Sequence, residues 1–240
     1  MRNRIFLVSL LTLLLSSTVV LAAFSLEPPV IILKASMGET MAWVDLAHSS
    51  PNAGPVAVEI TVYNRDVDIN GEPKAKFLTT SSEFTVYPAQ LVLQPRQRVR
   101  VQIAYKPKQK VTADKAFVLH AKQVPLPLSG EAEEVRAAIN TFMAYFTVIA
   151  LETDRPGKLT FVSSKTTGDG SIEVIAENKS RGRVKPDEMV IAIGSGRNRE
   201  IIRSFSGRKN AIMPGEQRRF VFAYKRPLTA KEVSFEIEAK

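Results

Sequence analysis

The sequence predicts an all-β protein, an immunoglobulin-like sandwich followed by a smaller all-β domain, and three observations lead there. Short segments that alternate in polarity or are rich in β-branched residues recur at intervals of roughly ten residues, each closed by Gly, Pro, Asn or Asp. Beyond the N-terminus no stretch carries the sustained apolar period of a long amphipathic helix. After Arg155-Pro156-Gly157 the segments shorten and glycine-centred turns multiply, which marks a second unit.

Taken in order, residues 1–23 read as an export leader. Arg2 and Arg4 supply a positive start, Ile5 to Leu21 is apolar, and Val20-Leu21-Ala22 offers small residues for cleavage after Ala22 or Ala23. Phe24 to Leu33 reads as one extended first strand, with Pro28-Pro29 suited to a sheet edge. Thr40–Leu46 and Val56–Tyr63 alternate as strands around a Ser49–Pro55 loop. Asp66-Val67-Asp68-Ile69-Asn70-Gly71 starts like a calcium loop, but its twelfth position is Phe77 where a bidentate Glu is required. Asn70-Gly71 is therefore read as a two-residue hairpin turn.

Glu83–Pro88 and Ala89–Pro95 follow, and then Arg98–Tyr105, with arginines on one face and valines on the other, as on a sandwich surface. Ala116–Val124 is the next strand, stopped by Pro125-Leu126-Pro127, and a polar connection runs from Ser129 to Ala137. Ala138–Leu151 is the most apolar run beyond the leader and contains neither Gly nor Pro, so it favours a strand. Alternation puts Phe142, Ala144, Phe146 and Val148 on one face and Ile139, Thr141, Met143, Tyr145 and Ile149 on the other. Both faces are largely apolar. Such a strand is either buried centrally or has a second face that waits for a partner. In the second unit, strands are expected at Lys158–Ser163, Ile172–Asn178, Glu188–Ile193, Ile201–Phe205, Arg218–Tyr224 and Val233–Glu238.

Composition narrows the chemistry. The chain has no cysteine, so an exported product must be held by sheet and core alone, without disulfide or thiolate–metal sites. Of 33 Lys+Arg, two leave with the leader, and 31 against 24 Asp+Glu is a balance of +7, with the charges scattered; this points away from nucleic acid. His48 and His120, the only histidines, have no ligand-type neighbours at metal spacing. No serine sits in a Gly-x-Ser-x-Gly elbow, and Gly194-Ser195-Gly196 is a turn rather than a nucleotide loop. The expectation is a protein that is not an enzyme and needs neither metal nor cofactor.

Several pieces in order resemble a periplasmic pilus-assembly chaperone of the chaperone-usher pathway, in the divergent branch that serves alternative fimbriae. They are Phe24-Ser25-Leu26-Glu27-Pro28, the run Phe84-Thr85-Val86-Tyr87-Pro88-Ala89-Gln90-Leu91-Val92-Leu93-Gln94-Pro95 with the basic strand after it, Ala121-Lys122-Gln123-Val124-Pro125 before a long loop, the apolar strand, and Arg155-Pro156 ahead of a smaller β domain. The resemblance implies two immunoglobulin-like domains in a boomerang, residues 24–156 and 157–240. It implies a chaperone that lends a strand to a pilus subunit lacking one and passes the subunit to an outer-membrane usher.

By position the lent face is Phe142, Ala144, Phe146 and Val148. Better-known members grip the subunit's C-terminal carboxylate with a basic pair; here those positions fall near Pro29 and Leu151, so Lys34, Lys122 and Arg155 are the candidate anchors, Arg155 also resembling the family's inter-domain salt-bridge arginine. Pro88, Val124 and Pro125 fall where the family meets its usher. Self-association of the free chain would hide the apolar face, and the mature chain is not expected to insert stably in a membrane. Two other readings are an exported pilus subunit or adhesin, and a periplasmic module binding anionic glycans through Arg96, Arg98 and Arg100.

Overall fold

The computed structural model describes residues 24–51, 54–74, 79–125, 143–207 and 210–237. The leader, Phe142 and the Ser129–Ala137 connection lie outside the described residues. Nine strands form the first sandwich: β1 Phe24–Glu27, β2 Val30–Lys34, β3 Met41–His48, β4 Val56–Asn64, β5 Phe84–Tyr87, β6 Gln90–Leu93, β7 Arg98–Tyr105, β8 Lys115–Val124 and β9 Ala144–Glu152. One sheet runs β1-β3-β7-β5 and the other β2-β9-β8-β4-β6. The inward residues of both sheets, among them Phe24, Leu46, Val58, Ile103, Leu119, Ile149 and Leu151, make one core. Period-two alternation explains it: in β4, Val56, Val58, Ile60 and Val62 are buried, while the residues between them are only partly covered.

The first strand departs from expectation. It divides at Pro28-Pro29 into β1, antiparallel to β3 in one sheet, and β2, parallel to β9 in the other. Two consecutive residues without N–H cannot continue a ladder, so the chain changes sheets there.

The Asn-Gly turn departs in a smaller way. Asp68 and Glu72 close a three-residue loop in which Gly71 has φ +79° and Asn70 is not left-handed. The Asp68 carboxylate accepts from the N–H groups of Asn70 at 2.8 Å and Glu72 at 2.9 Å, a side-chain-capped turn rather than a two-residue hairpin of two left-handed residues.

Six strands form the second sandwich: β10 Leu159–Thr166, β11 Ser171–Asn178, β12 Met189–Ile193, β13 Glu200–Ile202, β14 Gln217–Ala223 and β15 Val233–Ile237. Sheets β10-β11-β14 and β13-β12-β15 enclose Ile172, Val174, Ile191, Ile212, Phe220 and Phe222. A tight turn before β15 is clasped by Glu232, which pairs with Arg226 and accepts from Thr229 N at 2.9 Å. These partners hold the Glu232 carboxyl at about 2, well below its ordinary 4.5. The depressed value means that the clasp contributes stability above pH 4.5 and loses it as pH falls from there towards 2. An NMR titration of the Glu232 side chain should show a midpoint near 2, moving up towards 4.5 in Arg226→Gln.

The sandwiches meet through named contacts. The Asp114 carboxylate, buried, accepts from Thr153 N at 2.7 Å and from Arg183 N at 2.9 Å, tying β9's end to the second sandwich. Glu152 pairs with Arg183 and Arg65 with Glu216. The turn before Gly71 accepts Arg219 N at its Ile69 carbonyl, 2.8 Å, and Arg218 lies fully buried against Gly71.

Candidate functional site

β9 has two different flanks. On one side β8 pairs along its whole length, from Lys122↔Ala144 to Lys115↔Leu151. On the other, β2 begins only at Val30↔Val148, so Ala144–Thr147 has a strand neighbour on one side alone among the described residues. The Thr147 hydroxyl donates to the Pro28 carbonyl at 2.9 Å, where the first strand breaks off. An open strand edge of this kind can accept another chain's strand.

The faces of β9 separate cleanly. Met143 and Tyr145 pack on the first core, Thr147 and Ile149 are buried, and Tyr145 meets Phe24 edge-on at 4.8 Å. Ala144 and Phe146 are exposed, Phe146 at 57 %, and Val148 is partly covered. Phe142 is not among the described residues.

Two contributions to this outer surface were not legible in the sequence. Val30 and Ile32, both half-exposed, face outward from β2 beside Val148 and Ala150, because the parallel pairing aligns the outward residues of the two strands. Val30-Ile31-Ile32-Leu33 is apolar at every position, the same two-sided pattern as β9 and the one signal that could have found it. The second is His120, directly opposite Phe146, whose ring stacks on it at 4.6 Å and 7° from parallel. Tyr63 lies on the imidazole's other side at 5.9 Å. Burial, and secondarily the Lys122 charge, hold the His120 pKa below its ordinary value against an opposing pull from Glu59.

The candidate anchors are far apart. Lys34 stands level with Glu152 and Lys122 with Ala144, eight residues along β9 and thus about 26 Å, so one carboxylate cannot touch both. Arg155 lines a cleft of about 260 Å³ between the sandwiches, together with Asp154, Arg183 and Lys185. Arg183 and Lys185 are paired to Glu152 and Glu188, whereas Arg155 is exposed and forms no ion pair among the described residues. The inter-sandwich salt bridges therefore come from Arg65 and Arg183. Leu151 is sealed in the first core, and Pro29 is exposed.

Val124 and Pro88 flank β4 on opposite sides: Val124 pairs with Ala57, and Ala89, next to Pro88, accepts from Ile60 N at 2.8 Å. Pro125 is exposed and Pro88 and Val124 are partly covered.

His48 is buried at the end of β3; its Nε2 lies 3.0 Å from the Gly54 carbonyl and its Nδ1 accepts from Ser50 N. Among the described residues no three His, Asp or Glu side chains could share a metal ion. Arg98 and Arg100 are engaged rather than free. Arg100 donates to Asp45 at 2.9 and 3.3 Å, holding that carboxyl below its usual range, and Arg98 pairs with Glu27 at 3.0 Å.

No protein-family model and no curated protein sequence matches this chain. Solved structures do match it in fold. The Class 5 fimbriae chaperone CfaA is 10% identical over 90% of this chain and 99% of its own, with a TM-score of 0.56. A chain of the Salmonella enterica SafA pilin–SafB chaperone complex is 13% identical over 90% and 97%, TM-score 0.52. A chain of the CsuC–CsuE chaperone–tip adhesion subunit complex of Acinetobacter baumannii is 12% identical over 88% and 91%, TM-score 0.50. The chain thus has the two-domain β-sandwich fold of these fimbrial chaperone structures.

Proposed function

We propose that the protein is a periplasmic chaperone that captures pilus subunits by lending them strand β9, and that it does so without catalysis. Residues 24–156 form the capturing domain and 157–240 the smaller one. The observation that carries the reading is the half-open β9, with Phe146 turned outward beside an edge that is unpaired among the described residues. Main-chain pairing along Ala144–Thr147 supplies affinity that tolerates sequence variation, and alternate side chains Ala144, Phe146 and Val148, continued upstream by Phe142, fill the subunit's groove. Val30 and Ile32 widen that apolar surface. Each large side chain is already about half covered, so Phe146, Val30 and Ile32 together contribute roughly 2 to 4 kcal/mol on burial, before the costs of association.

Arg155, at the cleft and without an ion-pair partner among the described residues, is the best placed of the three candidates to hold a subunit's terminal carboxylate. Lys122, at the far end of β9, and Lys34 fit this role less well. Delivery to an outer-membrane usher would use the surface that carries Pro88, Val124 and Pro125. In the free protein the same apolar face would be covered by a second copy, which sedimentation of the purified chain would detect as a dimer. Co-expression with the small secreted proteins encoded beside an usher gene tests capture directly: one of them should co-purify, and none doing so would remove the reading.

The imidazole adds a pH dependence. Capture covers His120 further and so favours its neutral form; with Lys122 the nearby cation and Glu59 the nearby anion, the pKa falls again in the complex. Affinity is then full above the free protein's depressed pKa and weakens as pH falls through it. Retention of a subunit should hold above pH 6.5, fall as the pH is lowered below it in the native protein, and stay level in His120→Phe, which keeps the ring stack without the proton.

A further inference from the structure

The opposite face of the first sandwich carries ion pairs at one end and an apolar cluster at the other, and subunit capture makes no use of it. On the outside of β1-β3-β7-β5, Trp43 and Tyr87 both pair with Gln102 and so flank it on one surface. Tyr87 is 74 % exposed, and Trp43 and Met41 are half-exposed. Met41 occupies the next row, its sulfur 3.0 Å from Gln102 Nε2. β7 runs straight from this surface into Lys106-Pro107-Lys108-Gln109-Lys110. Lys106 still pairs with the neighbouring strand through Glu83 O at 2.7 Å, and all three lysines are exposed without an ion pair among the described residues.

We infer that this face docks on the surface of an anionic phospholipid bilayer. Trp and Tyr are the side chains that settle at the headgroup level, and unpaired lysines beside them are drawn to acidic lipid while their alkyl stems cover apolar surface. Lipid fits the charge arrangement better than an anionic glycan does. Of the three arginines that could grip glycan carboxylates, Arg98 and Arg100 are already held by Glu27 and Asp45 and only Arg96 has no ion pair among the described residues, whereas the loop next to thioether and rings carries three such lysines. The contact is peripheral; no helix among the described residues is long and apolar enough to cross a membrane.

Trp43 is the only tryptophan in the chain, so its emission reports on this face alone. The exported protein, its N-terminus read by mass spectrometry, is mixed with phosphatidylcholine vesicles with or without phosphatidylglycerol. Expected are flotation and a blue shift of emission with the anionic vesicles only, both reversed by about 0.5 M salt. The triple variant K106E/K108E/K110E, with unchanged circular dichroism, should partition at least about a hundredfold less, and Tyr87→Ser should weaken binding severalfold. Phe146→Asp, on the other face, should bind vesicles normally, which separates this inference from subunit capture. It is overturned by absence of binding, by binding with unshifted Trp43 emission, by undiminished binding of the triple variant, or by an emission shift with polygalacturonate and none with vesicles.

Discussion

Phe146→Asp is expected to lower affinity for a pilus subunit at least about a thousandfold while leaving the free protein as stable as before. The side chain is 57 % exposed and stacks on His120 at the surface, so the free chain loses little. In the complex proposed above the same position would enter a dry groove. There the change removes the apolar burial and places an unpaired carboxylate in its stead, a combined cost of about 4 kcal/mol or more. Urea unfolding of the free variant and co-purification of a co-expressed subunit measure the two halves separately. A variant that is equally stable and still retains the subunit at native yield would show that β9 is not the lent strand. Adding Phe142→Asp should deepen the loss.

The second large effect is expected at the junction. Gly182→Ala should destabilise the protein by about 2 to 4 kcal/mol, because the new Cβ would stand 1.8 Å from the Arg155 carbonyl oxygen and 2.6 Å from the Pro156 carbonyl carbon. Gly157 faces the same crossing from the other side, 2.0 Å from the Arg183 carbonyl oxygen. Both obstacles are backbone, which cannot swing aside as a long side chain does. Relief requires the linker to move away from the Gly182-Arg183 segment, and that pulls Arg183 N from the buried Asp114 carboxylate. Gly168→Ala, with nothing within 4 Å of its new Cβ and no left-handed backbone, is the control and should stay within about 0.5 kcal/mol of the native chain. Denaturant midpoints of the two variants decide the matter; equal midpoints would mean that the linker crossing is loose.

Much of the strand plan is legible in the sequence. β7 and the predicted Arg98–Tyr105 coincide, and Val56–Tyr63, Ala116–Val124 and all six strands of the second sandwich were placed to within a few residues. The split of β9 into a core face with Tyr145 and Ile149 and an outer face with Ala144 and Phe146 was legible too. These are local consequences of a two-residue period and of turn chemistry. The Asn70-Gly71 turn was partly legible: a turn forms there, but Asp68 caps it and lengthens the loop, a choice among turn types that neighbouring side chains make.

Period and composition alone therefore determined that this chain is β throughout, that it has two units, and that one strand carries apolar residues on both faces. Only the tertiary structure decided which strands lie beside that one and where its flank is open among the described residues. The change of sheets at Pro28-Pro29, the parallel alignment of Val30 with Val148, the stack of His120 on Phe146 and the burial of Arg218 against Gly71 all join residues distant in sequence. The physical reason is that a strand's own alternation says which side chains share a face, while which strand lies beside it, and where it stops, is set by pairing and packing summed over the whole sandwich.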